Sequence, residues 1–361
     1  MQLETLLRAM VEARASDLFL KVGTSPCLRL DGRLVALGND PVTEAQLHAL
    51  TDGLLTPPRR ETFHTTRELN VAFACQGLGR FRANLLWQQG TMALVIRRIQ
   101  QAIPTFAELG LPVEVLSRLI TEQHGLVLVT GPTGSGKSTT IAAMLEAINH
   151  TSARHIMTLE DPIEFQFEER QAVVNQREVG VDTHSFREGL RQALRQSPDV
   201  LFISDIRDLE TVEAALSAAE AGQLVLSCVH TLNAVTTVER LIAFFPPHQH
   251  RLIRLRLSLV LRGCISLRLL PRLGGEGRVP ACEILVATPR IRELIREGHT
   301  DRVPAAVHDG ATYGMQTLTH ALYERCRRGE VDPEDALRCA SSPEELQLAL
   351  REIRATKDIL S

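Results

Sequence analysis

The sequence predicts an α/β protein, in which a parallel sheet covered on both faces by helices follows a smaller α+β unit. Three observations carry that prediction. From Gly125 onward, continuously apolar runs (LVLV, IMTL, VLFI, LVLSCV) alternate with amphipathic segments, the pattern of strands buried on both faces and joined by helical crossovers. Before about residue 100 the period is instead that of short strands in hairpins. Aromatic residues make up only 4% of the chain, with the single Trp at position 87, so the core rests on Leu, Ile, Val and Ala, which suits helices packed on a sheet.

The 361 residues suffice for two or three compact units. With 44% hydrophobic and 23% charged residues, the composition excludes a disordered, collagen-like or membrane-embedded chain. The formal charge of −3 carries no global basic signal for nucleic acid or acidic lipid. Seven cysteines are scattered without a CxxC pair, which predicts reduced thiols and no structural zinc. The opening MQLETLLRAMVEARASD has no apolar signal region, and no run reaches the roughly 18 apolar residues of a membrane span. A cytoplasmic chain is expected, neither exported by a signal peptide nor inserted in a membrane by its own helix.

Taken in order, Leu3, Leu6, Leu7, Met10 and Val11 mark a first helix. CLRLDGRLVAL, with an Asp31-Gly32 turn, and RFRANLLWQQG followed by TMALVIRRI read as hairpins of a domain spanning residues 1–100. QQAIPTFAELGLP, punctuated by Pro104, Gly110 and Pro112, reads as a linker over 101–112. The alternating core follows over 113–270, with SFREGLRQALRQ and LETVEAALSAAEAG as two of its helices. In HQHRLIRLRLSLVLRGCISLRLL, arginines set among leucines read as an amphipathic helix and a strand packed within that core rather than as a basic docking surface. Residues 271–361 add one strand (CEILVA) and helices whose starts are marked by Asp332-Pro333 and by Ser342-Pro343-Glu344-Glu345.

The strongest chemical signal is GPTGSGKST at 131–139: Gly131, Pro132, Thr133, Gly134, Ser135, Gly136, Lys137, Ser138 and Thr139. The run follows an apolar strand and opens a helix, as a phosphate-binding loop requires. The glycines let backbone N–H groups close around phosphates at a helix N-terminus, Lys137 meets the β- and γ-phosphates, and Ser138 ligates Mg²⁺. ATP and Mg²⁺ are therefore the expected ligands. Hydrolysis also needs a group that orients or deprotonates water. Three strand ends offer one: Glu160-Asp161-Pro162-Ile163-Glu164, Ser204-Asp205-Ile206-Arg207-Asp208, and His230-Thr231. Singly, each is an ordinary loop start or helix cap. Together, beyond the carboxyl ends of parallel strands, they face the phosphate loop.

GPTGSGKSTT, TLEDPIEF, NQREVGVDTHSF, ALRQSPDV, IRDLETVEAAL and GMQTL, with ASDLFL near the start, resemble the PilT/PilU family of type IV pilus retraction ATPases over essentially the whole chain. The resemblance implies a PAS-like N-terminal domain and a RecA-like ATPase domain with C-terminal helices, assembled as a homo-hexameric ring with ATP at subunit interfaces. It also implies action at the cytoplasmic face of the inner membrane, with a pilus platform protein and a retraction ATPase paralogue as partners. Family secretion and extension ATPases usually carry a tetracysteine zinc module, which is absent here. By the same resemblance, Glu164 acts near Mg²⁺ and water, His230 senses the γ-phosphate, and Arg82 and Arg97 reach nucleotide from the N-terminal domain. Arg80, Arg98, Arg207 and Arg240 are weaker candidates, because surface arginines are usually solvated.

The sequence departs from the family where Ser204-Asp205 replaces Gly-Glu, Gln223 replaces the first His-box histidine, and Phe19 stands for a His, the last a change familiar from the PilU side. In TPRIRELIREG, Arg290 and Glu293 replace the small residue and the Asn of a segment the family uses for retraction. Two readings follow. One is a retraction motor. The other is a PilU-like accessory subunit that binds ATP and hydrolyses it weakly. A nucleic-acid helicase is disfavoured by the mild acidity and the few aromatics.

Overall fold

The computed structural model describes residues 2–30, 33–99, 102–275 and 277–360, with side chains up to Arg351. The chain divides into two units, Met1–Ala102 with Glu164–Gln166, and Ile103–Ile163 with Phe167–Ser361. Both mix helices with a sheet, as the composition predicts.

In the first unit the helix Leu3–Glu12 precedes β1 (Asp17–Lys21), β2 (Cys27–Leu30) and β3 (Arg33–Ala36). The helices Glu44–Leu54 and Pro57–Thr66 then lead to β4 (Glu68–Cys75), β5 (Gly79–Gln88) and β6 (Thr91–Ile99). The described strands form an antiparallel sheet in the order β3-β2-β1-β6-β5-β4. Along β5 the alternate residues Phe81, Ala83 and Leu85 are buried, and they meet Leu6, Leu7 and Met10 of the first helix in one core. β5 and β6 are joined by Gln89 and Gly90 at φ of 46° and 76°, the two left-handed residues of a tight hairpin turn. The expected β2–β3 hairpin forms, while its Asp31-Gly32 turn lies outside the described residues.

In the second unit the strands are β7 (Gly125–Thr130), β8 (His155–Glu160), β9 (Val173–Glu178), β10 (Val200–Ile203), β11 (Leu224–Val229), β12 (Leu261–Pro271) and β13 (Arg278–Val286). Their order is β13-β12-β7-β11-β10-β8-β9, parallel throughout except for β13. Alternate residues feed two cores: Leu126 and Leu128 of β7 join one cluster with Leu201 and Val225, whereas Val127 and Val129 join another with Phe202 and Leu226. This division is what strands covered on both faces require.

The boundary between the units falls at the start of the expected 101–112 linker, and the rest of that segment is packed, with Phe106 and Leu111 buried beside Val115 and Leu116. β9 escaped the sequence reading because VVNQRE is an edge strand, with Val173 55% exposed. Ser185 caps the helix Phe186–Ala193, accepting from the Glu188 amide, and this helix stops short of the expected SFREGLRQALRQ. The arginine-rich segment forms the helix His250–Val260 and then β12, as read from its pattern. Behind β12 and β13, Leu270, Val279 and Ala281 pack against Leu318, Leu322 and Leu346 of the C-terminal helices.

All seven cysteines are free. Burial pushes the Cys264 and Cys282 thiols up to about 12, so at pH 8 almost none of either is the reactive thiolate. Iodoacetamide treatment of the folded protein at pH 8 is accordingly expected to spare both, and an adduct on either one in peptide mass spectra would contradict this.

Candidate active site

The site is built at the carboxyl ends of β7, β10 and β11, which the parallel register keeps level. β7 ends at Thr130, and the loop 131–136 then turns into the helix Lys137–Thr151. Gly131, at φ 146°, admits no side chain: a Cβ there would lie 2.4 Å from Ser135 Oγ and 2.7 Å from the Leu267 carbonyl. The N-cap Gly136 is left-handed at φ 94°, and no side chain caps the helix, so its first N–H groups point into the loop. Pro132, Thr133 and Gly134 are exposed, whereas Ser138 and Thr139 are half-buried. Lys137, 7% exposed, curls back so that Nζ donates to the carbonyls of Gly131 (2.9 Å) and Pro132 (3.0 Å).

Beside Lys137 stands His230, whose Nδ1 lies 3.4 Å from the lysine Nζ. Its Nε2 is 3.2 Å from Oδ2 of Asp205, and the same oxygen accepts from Arg207 Nε at 2.7 Å. Asp205 is 6% exposed, and its other oxygen, Oδ1, is buried without a hydrogen-bond partner. The Asp205 contact raises the Arg207 guanidinium above its ordinary value, opposed by partial burial and reinforced by the charges of Asp205 and Asp161. Glu160, at the end of β8, accepts from Thr158 Oγ1 (2.7 Å) and Gln176 Nε2 (3.1 Å).

Lys137, Ser138, Asp205 and His230 thus come together in one unit. Glu164, Arg82 and Arg97 belong to the other, so Ser138 and Glu164 do not meet within one unit. Glu164 is exposed. Arg82 and Arg97 are direct partners across β5 and β6, in a row that continues through Asp17 of β1 to Arg29 of β2. Asp17 is buried, with Arg97 Nε at 2.8 Å from one oxygen, and Arg29 Nε (3.4 Å) and the Ser16 hydroxyl (2.8 Å) at the other. Gln223 precedes β11 at the opposite end of the strand from His230, roughly 20 Å away at the usual rise per residue. Within this chain Gln223 therefore does not touch Asp205 chemistry. Arg207, ranked low from sequence, makes the shortest contact to Asp205, and its place two residues on in Ser-Asp-Ile-Arg was the available signal.

The buried Asp205 Oδ1 and Ser135 Oγ lack partners, and the uncapped helix start and the Gly131 cradle lie beside them, an arrangement that fits a triphosphate with its divalent cation. Among the described residues no cluster of His, Cys, Asp and Glu would hold a metal without such a ligand. A glycine loop between strand and helix, on a largely parallel sheet with acidic and histidine side chains at neighbouring strand ends, defines a P-loop protein with a RecA-like core.

Residues 68–338 match the family model of type II/IV secretion system proteins. The chain is 42% identical to the type IV pilus retraction ATPase PilT of Pseudomonas aeruginosa, covering 95% of this chain and 99% of that one. It is 39% identical to the type IV pilus ATPase PilU of the same organism, covering 97% and 92%. Its fold matches the crystal structure of the pilus retraction motor PilT with bound ADP at a TM-score of 0.90, 42% identity and 96% and 99% coverage. The ATPase DotB of Legionella pneumophila matches at a TM-score of 0.79, 27% identity and 92% and 94% coverage. The chain belongs to the PilT/PilU family of type IV pilus ATPases, within the type II/IV secretion proteins.

Proposed function

We propose that this protein is an ATP-hydrolysing motor for type IV pilus retraction, working as a homo-hexameric ring at the cytoplasmic side of the inner membrane. The observation that carries the reading is the line Lys137, His230, Asp205, which links the phosphate-loop lysine through the imidazole to a carboxylate whose second oxygen is buried without a partner. Lys137 exchanges its two carbonyl contacts for β- and γ-phosphate oxygens, and the loop amides of 131–136 take the remaining charge. Asp205 Oδ1 accepts the proton or orients the water that attacks the γ-phosphorus, and His230 reports whether the γ-phosphate is present. Mg²⁺, held by Ser138 and phosphate oxygens with Glu164 nearby, would neutralise charge on the transferring group. Arg82 and Arg97 are the candidates for completing the site from an N-terminal unit. Among the described residues no helix is long and apolar enough to cross a membrane. The proposed partners are a pilus platform protein and a paralogous ATPase.

One observation favours a second reading, the accessory subunit of weak turnover: Asp205 is one methylene shorter than the family glutamate, and a displacement of about 1 Å costs on the order of a hundredfold in rate. Steady-state Mg²⁺-ATPase of the size-verified oligomer, compared with that of Asp205→Glu, separates the two readings. A gain of tenfold or more on lengthening the side chain supports the accessory role, by about the penalty that misplacement predicts. Equal or lower turnover supports a motor adapted to aspartate.

A further inference from the structure

His230 stands at the head of a short loop, 230–233, that runs from β11 into the helix Ala234–Ala243. The loop is bracketed by side chains from the β12–β13 hairpin, on the far side of β7 from β10. Glu283, on β13, accepts from the Ala234 amide at 2.7 Å through Oε1, and the same oxygen accepts from Ser266 Oγ, its direct cross-strand neighbour on β12, at 3.3 Å. Arg268 of β12 donates through Nη2 to the Leu232 carbonyl at 2.9 Å and through Nη1 to its own neighbour's carbonyl, Leu267, also at 2.9 Å. Between these anchors, Thr231 and Thr237 share a 2.6 Å hydroxyl contact, and the Thr237 hydroxyl donates to the Asn233 carbonyl at 2.7 Å.

These contacts are more than a helix needs for capping. Asn233 already caps it, its side chain accepting from the Thr236 amide. A half-buried carboxylate added at the first amide of the same helix is costly to desolvate, and burial indeed raises the Glu283 carboxyl above its ordinary range. Desolvation also lowers the Arg268 guanidinium from its ordinary value, so both groups give up part of their hydration to make these contacts. Neither residue touches the phosphate loop or Asp205; what they grip is the backbone two and four residues after His230.

We infer that Glu283 and Arg268 are positioning residues for His230, fixing the 230–233 loop so that the imidazole stays between Lys137 and Asp205. The inference rests on His230 acting at the nucleotide, as proposed above. Glu283→Ala frees the Ala234 amide and loosens the loop, whereas Glu283→Gln keeps an acceptor at the same reach.

The test is steady-state ATPase on folded, size-verified oligomers, with ADP affinity measured in parallel, for Glu283→Ala, Glu283→Gln and Arg268→Met in wild-type and His230→Ala backgrounds. The expected result is a fall in kcat of about tenfold for Glu283→Ala and Arg268→Met, within the range that small misplacements produce, with ADP affinity unchanged. Glu283→Gln should recover most of the loss, and none of the three should cost anything further once His230 is gone. Should Glu283→Ala fail to fold, Arg268→Met carries the same comparison. Losses that multiply in the His230→Ala background, a Glu283→Gln variant as impaired as Glu283→Ala, or ADP affinity falling in step with kcat would each overturn the positioning role while leaving the role of His230 intact. A His230→Ala variant with unchanged kcat would remove the role of His230, and the positioning claim with it.

Discussion

Replacing Lys137 by alanine is expected to lower Mg²⁺-dependent ATP turnover by at least about a hundredfold, the loss seen when one fixed donor to a developing charge is removed from a site. The reason lies in where the ammonium sits. Lys137 is buried at the first residue of its helix, where its ammonium donates to two loop carbonyls and lies 3.4 Å from the His230 ring. Of these backbone partners the exposed Pro132 can take up water instead, whereas the Gly131 carbonyl is buried, so a modest fall in melting temperature is expected beside the loss of turnover. A triphosphate has no such substitute, since a buried positive charge is what offsets its β- and γ-oxygens. Turnover and melting temperature measured on the same size-verified oligomer check the expectation. Unchanged turnover in Lys137→Ala would remove the basis for calling this protein an ATPase.

Asp205→Asn is the second large effect, with an expected loss of roughly a hundredfold to ten-thousandfold in kcat, the span of a general base or water-orienting group. Arg207 and His230 both converge on Oδ2, so the asparagine keeps its carbonyl oxygen towards those donors and turns its NH₂ to the place of Oδ1. The unpartnered acceptor thereby becomes a donor, while size and packing stay the same. Nucleotide affinity should be nearly retained. Single-turnover hydrolysis with ADP affinity measured beside it reads both quantities, and a hydrolysis rate within twofold of wild type would exclude Asp205 from the chemistry.

What the sequence made legible follows from how far each signal extends along the chain. The phosphate loop is nine contiguous residues whose glycines, lysine and flanking strand are all local, and the structure realises each of them in order. β7, β10 and β11 read clearly because every residue in them is buried. β9 did not, because an edge strand with exposed positions lacks an apolar run. The helix Pro57–Thr66 was equally hidden: of its ten residues only Phe63 is buried, so it offers no periodicity. Pairings across the chain were out of reach altogether. Asp17 and Arg97 lie 80 positions apart, and no local pattern links Glu283 to Ala234. Gln223 shows the same limit: it lies seven positions before His230 in sequence and at the far end of the same strand in space, because a strand separates what a helix would stack.

The row Arg29, Asp17, Arg97 and Arg82 has a consequence for how an arginine is made available without harm to its own domain. Asp17 is buried deeply enough that losing its sole cation would leave an uncompensated charge, a change that unfolds small domains. It does not have a sole cation. With Arg97 withdrawn, Arg29 and the Ser16 hydroxyl still hold the carboxylate, and Arg29 is kept in place by the face of Phe19, 4.9 Å away. Arg97, two-thirds exposed at its side chain, is thus the detachable partner and Arg29 the permanent one. The domain has a spare: the carboxylate keeps a cation and a hydroxyl at its second oxygen whether or not Arg97 stays at the first.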